Sequence, residues 1–306
     1  MPFHGLAEFV TLLENKGMLI RIKEFVDPVL EISEITDRFS KEPGGGKALL
    51  FENTGTEYPV LTNAFGSDER MALALGYGHP DEMAGRLDDL FSALTSPKRT
   101  WIEKVRMLPK LRMVARWMPK ILSGRGECQQ VVHMEPDLSK LPILKCWPFD
   151  GGRFITLPMV NTRDPNTGIR NVGMYRHLVQ KKNQLGVHFA ETGHGRLLYD
   201  KWKERKQKMP VAITVGHHPL VVLGALSFVP FGVDEYTIMG AYMQEPLRLV
   251  KCKTVDLEVP ADAEIVIEGF IDTDAYTTDG PIGEYTTVYG KQRENPFIQI
   301  TAITMR

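Results

Sequence analysis

Asn171 and Arg176 lie five residues apart in NVGMYRHLVQ, and Asp279 and Glu284 lie five apart in DGPIGE. A carboxamide, a guanidinium and two carboxylates can hold an anion, bind a hard divalent cation and move a proton. Side chains alternate faces along a strand, so an odd separation points Asn171 and Arg176 in opposite directions. A bulge at Gly173 would bring them to one side. The same spacing also suits an edge strand whose polar groups face solvent.

In TTDGPIGEY, residues 277–285, the glycines and the proline pre-shape a tight loop that can turn Asp279 and Glu284 into one pocket. Two carboxylates there would suit proton transfer. A solvated β-turn uses the same residue types, so both readings stand. His188 and His194 flank FAETG, a weak spacing for a metal pair, and fit capping or core positions better. In GHHP, residues 216–219, adjacent side chains diverge, and Pro219 fits the first position of a helix with His218 near its cap. Glu245, in MQEPLRLVKC, follows a helix and precedes a strand with nothing local to mark it.

These residues need elements to carry them. Leu6, Phe9, Val10 and Leu13 predict an amphipathic helix over 5–16, stopped by Gly17. The strand MLIRI follows, then a helix over 29–40, the breaker EPGGG, strands in KALLFEN and YPVLTNAF, and helices at 67–76 and 80–95. Beyond residue 130 the chain turns mainly to short β-branched strands: ITLPMVNT, NVGMYRHLVQ, QLGVHF, VAITV, LRLVKC, AEIVIEGFI and FIQITAITMR. Helices are inserted at about 194–208, 218–228 and 234–243. The expected class is α+β: an N-terminal α/β domain over 1–97, a basic helical linker over 98–130 and a mixed barrel over 131–306.

Composition bounds the rest. The 306 residues are 43% hydrophobic and 25% charged, with a net charge of −1, which argues against an electrostatic nucleic-acid binder. No apolar run reaches the ~18 residues of a spanning helix, and MPFHGLAEFV lacks the pattern of a signal peptide. Cys128, Cys146 and Cys252 give neither metal spacing nor a disulfide framework, as expected in a reducing cytoplasm. Residues 98–125 carry nine Lys or Arg against one acid, Glu103. Pro109 and Pro119 interrupt that stretch, which favours a packed linker over a membrane-surface helix.

Together, NVGMYR, the KN turn at 182–183, GHGRLLYDKW, QEPLRLVKCKTVDLEVPADAEIVIEG and DGPIGEY resemble the UbiD family of reversible decarboxylases. MPFHGLAEFVTLLENKGMLIRI and GKALLFENTGTEYPVLTNAFGS are similar to that family's N-terminal domain. The resemblance implies a flavin-reductase-like split barrel that binds prenylated FMN together with manganese or another divalent ion, and potassium. It assigns Asn171, His194 and Glu245 to the metal. It assigns Met174, Tyr175, Arg176, His188, Phe189, Ala190, Gly193 and His194 to the cofactor.

Arg176, Asp279 and Glu284 become the catalytic trio, with Glu284 as proton donor. The implied reaction is decarboxylation of an aromatic or α,β-unsaturated acid, foremost 3-polyprenyl-4-hydroxybenzoate in ubiquinone synthesis. Another phenolic acid or a menaquinone precursor is the alternative substrate, and a non-catalytic flavin-phosphate- or partner-binding fragment the alternative role. The implied partners are the small acid, a flavin prenyltransferase that supplies the cofactor, further copies of the chain and, through residues 98–125, a membrane surface. Two departures stand out. Asp279 is one methylene shorter than the Glu usual there, which shortens its reach toward Arg176. Family members also run on into a further α/β domain, whereas this chain ends on FIQITAITMR, a strand expected to lie mid-barrel.

Overall fold

The computed structural model describes residues 3–79, 81, 82, 85, 112–227 and 229–306. Helix α1 (Leu6–Asn15) buries Phe9 and Leu13, four apart on one face. It leads into β1 (Leu19–Phe25), α2 (Glu31–Ser40), β2 (Ala48–Asn53), β3 (Val60–Thr62) and α3 (Asp68–Leu75). β1 and β2 pair in parallel, which requires the crossover that α2 supplies, and β3 closes the sheet antiparallel to β2. Ser67 caps α3 through the Arg70 N–H, and Gly76 ends it in the left-handed region. The expected helix over 80–95 and the basic stretch up to residue 111 lie outside the described residues.

A short strand, β4 (Lys120–Ile121), then precedes β5 (Val131–His133), β6 (Phe154–Ile155), β7 (Met159–Arg163), β8 (Arg170–Met174), β9 (His177–Lys181) and β10 (Gln184–Gly186). Helix α4 (His194–Glu204), β11 (Met209–Val215), α5 (Pro219–Ala225) and α6 (Glu235–Met243) follow. The chain continues through β12 (Arg248–Lys251), β13 (Glu258–Pro260), β14 (Ile265–Asp279) and β15 (Arg293–Met305). Nine strands form one curled sheet in the order β6-β9-β10-β15-β14-β11-β7-β8, with β5 added alongside β15. β13, β12 and β4 form a small third sheet. The protein is α+β, as the composition of its elements suggested.

The large sheet is covered on both faces. Val211, Ile213 and Ile267 enter one apolar cluster with Val160, Leu185 and Ile298, while Ala212 and Val266 enter another with Val250 and Val259. This is period-2 alternation serving two cores. Helices α5 and α6 pack with Met159, Val172 and Leu249 in a further cluster, which seats α6 against β8.

Two sequence expectations change. NVGMYRHLVQ is two strands, broken at Tyr175 and Arg176. The β7–β8 ladder runs without a register shift through Gly173, so no bulge forms there. Gly173 serves another purpose: a Cβ at that position would come 2.7 Å from the Tyr175 hydroxyl. β14 also runs further than expected, to Asp279, so Asp279 is a strand residue and only the residues after it belong to the loop. β15 is paired on both sides, with β14 on one and β10 and β5 on the other.

Glu268, fully buried on β14, ties the loop after β12 to the sheet. Its carboxylate accepts the Lys253 N–H (2.8 Å), the Thr254 N–H (2.6 Å) and the Thr254 hydroxyl (2.8 Å). Glu268→Ala leaves two backbone N–H groups without acceptors in a dry site. It is expected to lower the unfolding free energy by roughly 3 kcal/mol, read from the urea midpoint at unchanged slope.

Candidate active site

The chain break at Tyr175–Arg176 decides where the chemistry gathers. Tyr175 turns back over Gly173, its hydroxyl accepts the Gly195 N–H at 3.0 Å, and its ring meets Phe189 edge-on at 5.0 Å. A Cβ at Gly195 would lie 2.6 Å from that hydroxyl. This clamp draws the residues after β10 and the first turn of α4 onto the end of β8. Met174, Tyr175, Arg176, Phe189 and Gly193 therefore belong to one neighbourhood. Gly193 is the N-cap residue of α4, and its N–H bonds the Ala190 carbonyl at 3.0 Å.

Arg176 leaves the break toward the residues after β14. Its Nη1 lies 4.0 Å from Glu284 Oε1, and both side chains keep partial access to solvent. Glu284 sits in a tight reversal closed by Glu284 N–H to Val288 O (3.0 Å) and Gly290 N–H to Ile282 O (2.8 Å). Asp150 fixes the base of this loop. One of its oxygens accepts the Gly283 N–H at 2.7 Å, the other the Trp147 N–H at 2.9 Å. The Trp147 indole covers Gly283 so closely that a Cβ there would come within 2.4 Å of the ring.

Asp279 is buried at the end of β14 and makes no ion pair with Arg176. Its Oδ2 accepts a hydrogen bond from the Asn295 side-chain nitrogen at 2.7 Å, and its Oδ1 is buried without a partner. The Arg176 Nε is likewise buried and unpaired. The same Asn295 nitrogen lies 3.2 Å from His188 Nδ1. Burial, and then the Arg176 guanidinium, hold the His188 imidazole below its usual range. Arg176 thus approaches Glu284 to 4.0 Å, while Asp279 is linked to this pair through His188, on which both Arg176 and Asp279 act.

The other polar group lies at the edge strand. β8 has no further neighbour in its sheet, so its outward N–H groups need other acceptors. Glu235, in the first turn of α6, supplies one: its carboxylate accepts Val172 N–H at 2.9 Å and Asn171 Nδ2–H at 2.8 Å. One residue back, Arg170 pairs with Asp234, the N-cap of α6, and with Glu258 at 2.9 Å. Glu235 is fully buried, and burial pushes its carboxyl up to about 7. Asn171 Oδ1 is buried and unpartnered.

Glu245, assigned to the metal by the resemblance, lies beyond the C-terminal end of α6, after Gln244 turns the chain into the left-handed region, whereas Glu235 opens that helix. Among the described residues the Glu245 carboxylate has no hydrogen bond or ion pair, and the carboxylate that reaches Asn171 is Glu235. A DE pair opening an otherwise apolar helix was the signal: the first acid caps, and the second has nowhere to go but inward. His194 opens α4 and packs edge-on against Phe231 at 5.2 Å. His217 and His218 stay out of this neighbourhood. His217 bonds Thr214 at 2.9 Å, while His218 caps α5 and stacks on Phe3 at 4.5 Å.

A buried carboxamide oxygen without a donor, beside a carboxylate, is a donor set for a hard divalent ion. Among the described residues no three His, Cys, Asp or Glu side chains are grouped to hold a metal by themselves, so such a site has to recruit Asn171. Phosphate oxygens would complete it.

The chain matches the 3-octaprenyl-4-hydroxybenzoate carboxy-lyase N-terminal domain over residues 10–90 and the Rift-related domain of that carboxy-lyase over residues 120–306. It belongs to the UbiD family. An uncharacterized protein of Aquifex aeolicus is 45% identical over 307 residues, covering 99% of this chain and 63% of its own length. HmfF, a UbiD-class enzyme from Pelotomaculum thermopropionicum solved with prFMN, superposes with a TM-score of 0.84 at 34% identity, covering 99% of this chain and 66% of that one. The vanillic acid decarboxylase of Sedimentibacter hydroxybenzoicus gives a TM-score of 0.84 at 28% identity, over 99% of this chain and 62% of its own. The chain thus spans slightly less than two thirds of the relatives it matches.

The raised Glu235 carboxyl has a stability signature. A carboxyl that binds its proton more tightly when folded stabilises the fold at low pH, and this contribution fades as pH climbs from 4.5 to about 7. Glu235→Gln removes that slope. Across this window, without divalent metal, wild type should lose about 3 kcal/mol relative to the variant, measured by urea unfolding at stepped pH.

Proposed function

We propose that this chain carries the cofactor and proton-transfer groups of a prenylated-FMN-dependent decarboxylase of aromatic acids. The observation that carries the reading is the Arg176–Glu284 pair, 4.0 Å apart beside the buried Asp279. Prenylated FMN, when bound, supplies an electrophilic sink for the electron pair left by departing carbon dioxide. Arg176 binds the substrate carboxylate, which then competes with Glu284 for the guanidinium. Glu284, released from the pair and reachable from solvent, delivers a proton to the carbon that loses its carboxylate. Met174, Tyr175, Phe189, Ala190 and Gly193 line the cofactor's place, with the Tyr175 clamp keeping them together.

Asn171 Oδ1 and Glu235 hold the divalent ion, manganese foremost, with His194 as the third protein ligand. Potassium, the Glu245 role implied by family resemblance and the division at residues 97 and 130 remain parts of the reading that the same reconstitution tests. Support for a small substrate comes from relatives: vanillic acid and 3,4-dihydroxybenzoic acid decarboxylases share this architecture at 28% and 25% identity. The substrate class is therefore a phenolic acid. 3-Polyprenyl-4-hydroxybenzoate in ubiquinone synthesis is one candidate, and a menaquinone precursor another. A flavin prenyltransferase supplies the cofactor, and the working form is an oligomer in the cytoplasm. No helix among the described residues is long and apolar enough to cross a membrane.

The test is reconstitution with prenylated FMN and manganese, followed by a screen of aromatic acids for carbon dioxide release. Glu284→Gln should keep the flavin spectrum and lose at least 100-fold in turnover. Full activity in that variant removes Glu284 from the mechanism, and a colourless, inert wild type favours a flavin-phosphate- or partner-binding role instead. Separately, manganese should raise the melting temperature of wild type but not of Asn171→Ala. An unchanged shift in the variant would favour a metal held by His188 and His194, as in a hydrolase.

A further inference from the structure

Asn295 has not yet been given work, although it bridges two groups at the centre of the site. It lies on β15, in the strand pair where Asp279 stands opposite Arg293 and Thr277 opposite Asn295. Its side-chain nitrogen is 2.7 Å from Asp279 Oδ2 and 3.2 Å from His188 Nδ1. An amide nitrogen has two N–H bonds about 120° apart, so it can serve both acceptors at once. The reverse orientation would press Asn295 Oδ1 against an oxygen of the buried Asp279 carboxylate, lone pair against lone pair. Asp279 therefore fixes which end of Asn295 faces inward, and that end fixes His188. A ring nitrogen facing an N–H donor must be the unprotonated one, which places the imidazole proton on Nε2.

The geometry points to Asn295 as a positioning residue that locks His188 as the neutral Nε2–H tautomer, a hydrogen-bond donor held ready for an anionic substrate's carboxylate beside Arg176. His188 is only half-buried and its Nε2 has no acceptor among the described residues, so the donor is available to an incoming ligand. The arrangement also explains how Asp279 is retained without a cation. Its one satisfied oxygen takes the Asn295 amide, and the other lies against the strand at Gly186, where a Cβ would sit in ordinary van der Waals contact at 3.6 Å. The charged groups that act on His188 are Arg176, Asp279 and Arg293. Burial, Arg176 and Arg293 oppose a positive imidazole and Asp279 favours one, while the donor at Nδ1 decides which nitrogen of the neutral ring carries the proton.

The consequence for turnover rests on the decarboxylase reading, whereas the tautomer does not. Nitrogen-15 NMR of the full chain labelled in histidine reads the tautomer directly, without cofactor or substrate. The His188 signals are assigned by their loss in His188→Gln. Wild type should show one Nε2–H species, and Asn295→Asp, which turns an acceptor toward Nδ1, should move the proton to Nδ1 or give the doubly protonated ring. A purely structural Asn295 would lower the melting temperature and leave the tautomer alone. An Nδ1–H signal in wild type would overturn the proposal on its own, even if the Asp variant fails to fold. In the reconstituted enzyme, Asn295→Asp should raise KM for the acid at least tenfold with the flavin spectrum unchanged. If wild type releases no carbon dioxide from any acid, the decarboxylase reading fails while the tautomer result stands.

Discussion

Two carboxylates lie buried around this site, and neither is neutralised by a cation. Glu235 and Asp279 are each held by an asparagine amide, Asn171 at 2.8 Å and Asn295 at 2.7 Å. Burying a carboxylate is costly, and an arginine or lysine is the usual remedy. Using an amide instead leaves each carboxylate only partly satisfied. Asp279 Oδ1 has no partner at all, and Glu235 keeps a strongly raised proton affinity. Partly satisfied groups can respond to a ligand, whereas a closed salt bridge cannot. The amides also leave Arg176 to Glu284, the one acid of this group that faces solvent. The charge layout of the site follows from that division.

The scaffold spends its full ion pairs one step away. Arg170 joins Asp234 and Glu258, Arg163 joins Glu258 at 2.9 Å, and the Arg170 guanidinium lies 5.0 Å from the Tyr236 ring centre. The Tyr236 hydroxyl reaches Asn161 on β7. Asp234 and Tyr236, the neighbours of Glu235 on either side, are therefore both anchored to the β7–β8 hairpin. The helix start cannot drift, and Glu235 stays against Asn171 and Val172 although its own bonds are few. Rigid pairs outside and loose acids inside give preorganisation without closing the site.

Much of this was legible in the sequence. Helix positions followed from apolar spacing and from local signals such as Gly17 as a stop and His218 with Pro219 as a start. The trio Arg176, Asp279 and Glu284 came from a family resemblance, because the spacing within DGPIGE and NVGMYR permits a shared pocket without demanding one. Other features depend on contacts distant in the chain. The break at Tyr175–Arg176 exists because Gly195 and Phe189 hold the Tyr175 ring, and nothing within NVGMYRHLVQ encodes that. Asp150 fixes Gly283 from 133 residues away, and Asn171 meets Glu235 across 64. Glu245 drew attention only through a resemblance, while the buried acid Glu235 opens the helix that precedes it.

The position of Asn295 shows why such a residue escapes sequence reading. In RENPFIQ it looks like a turn or edge residue, next to a proline and among charges. Its role appears only once β15 is laid beside β14 and β10, because the first brings Asp279 to it and the second brings His188. β10 is three residues long, and the chain leaves it toward Pro296, where Val187 N–H bonds the Pro296 carbonyl at 3.0 Å. That single bond sets the height of His188 against β15. A shift of one residue in the pairing would turn Asn295 to the other face of its strand and break both of its hydrogen bonds. The protonation of a ring in the site is therefore fixed by strand register, and register is fixed by the apolar residues Leu185 and Ile298 that pair deeper in the sheet. Core packing reaches the chemistry through backbone geometry, with no charge in between.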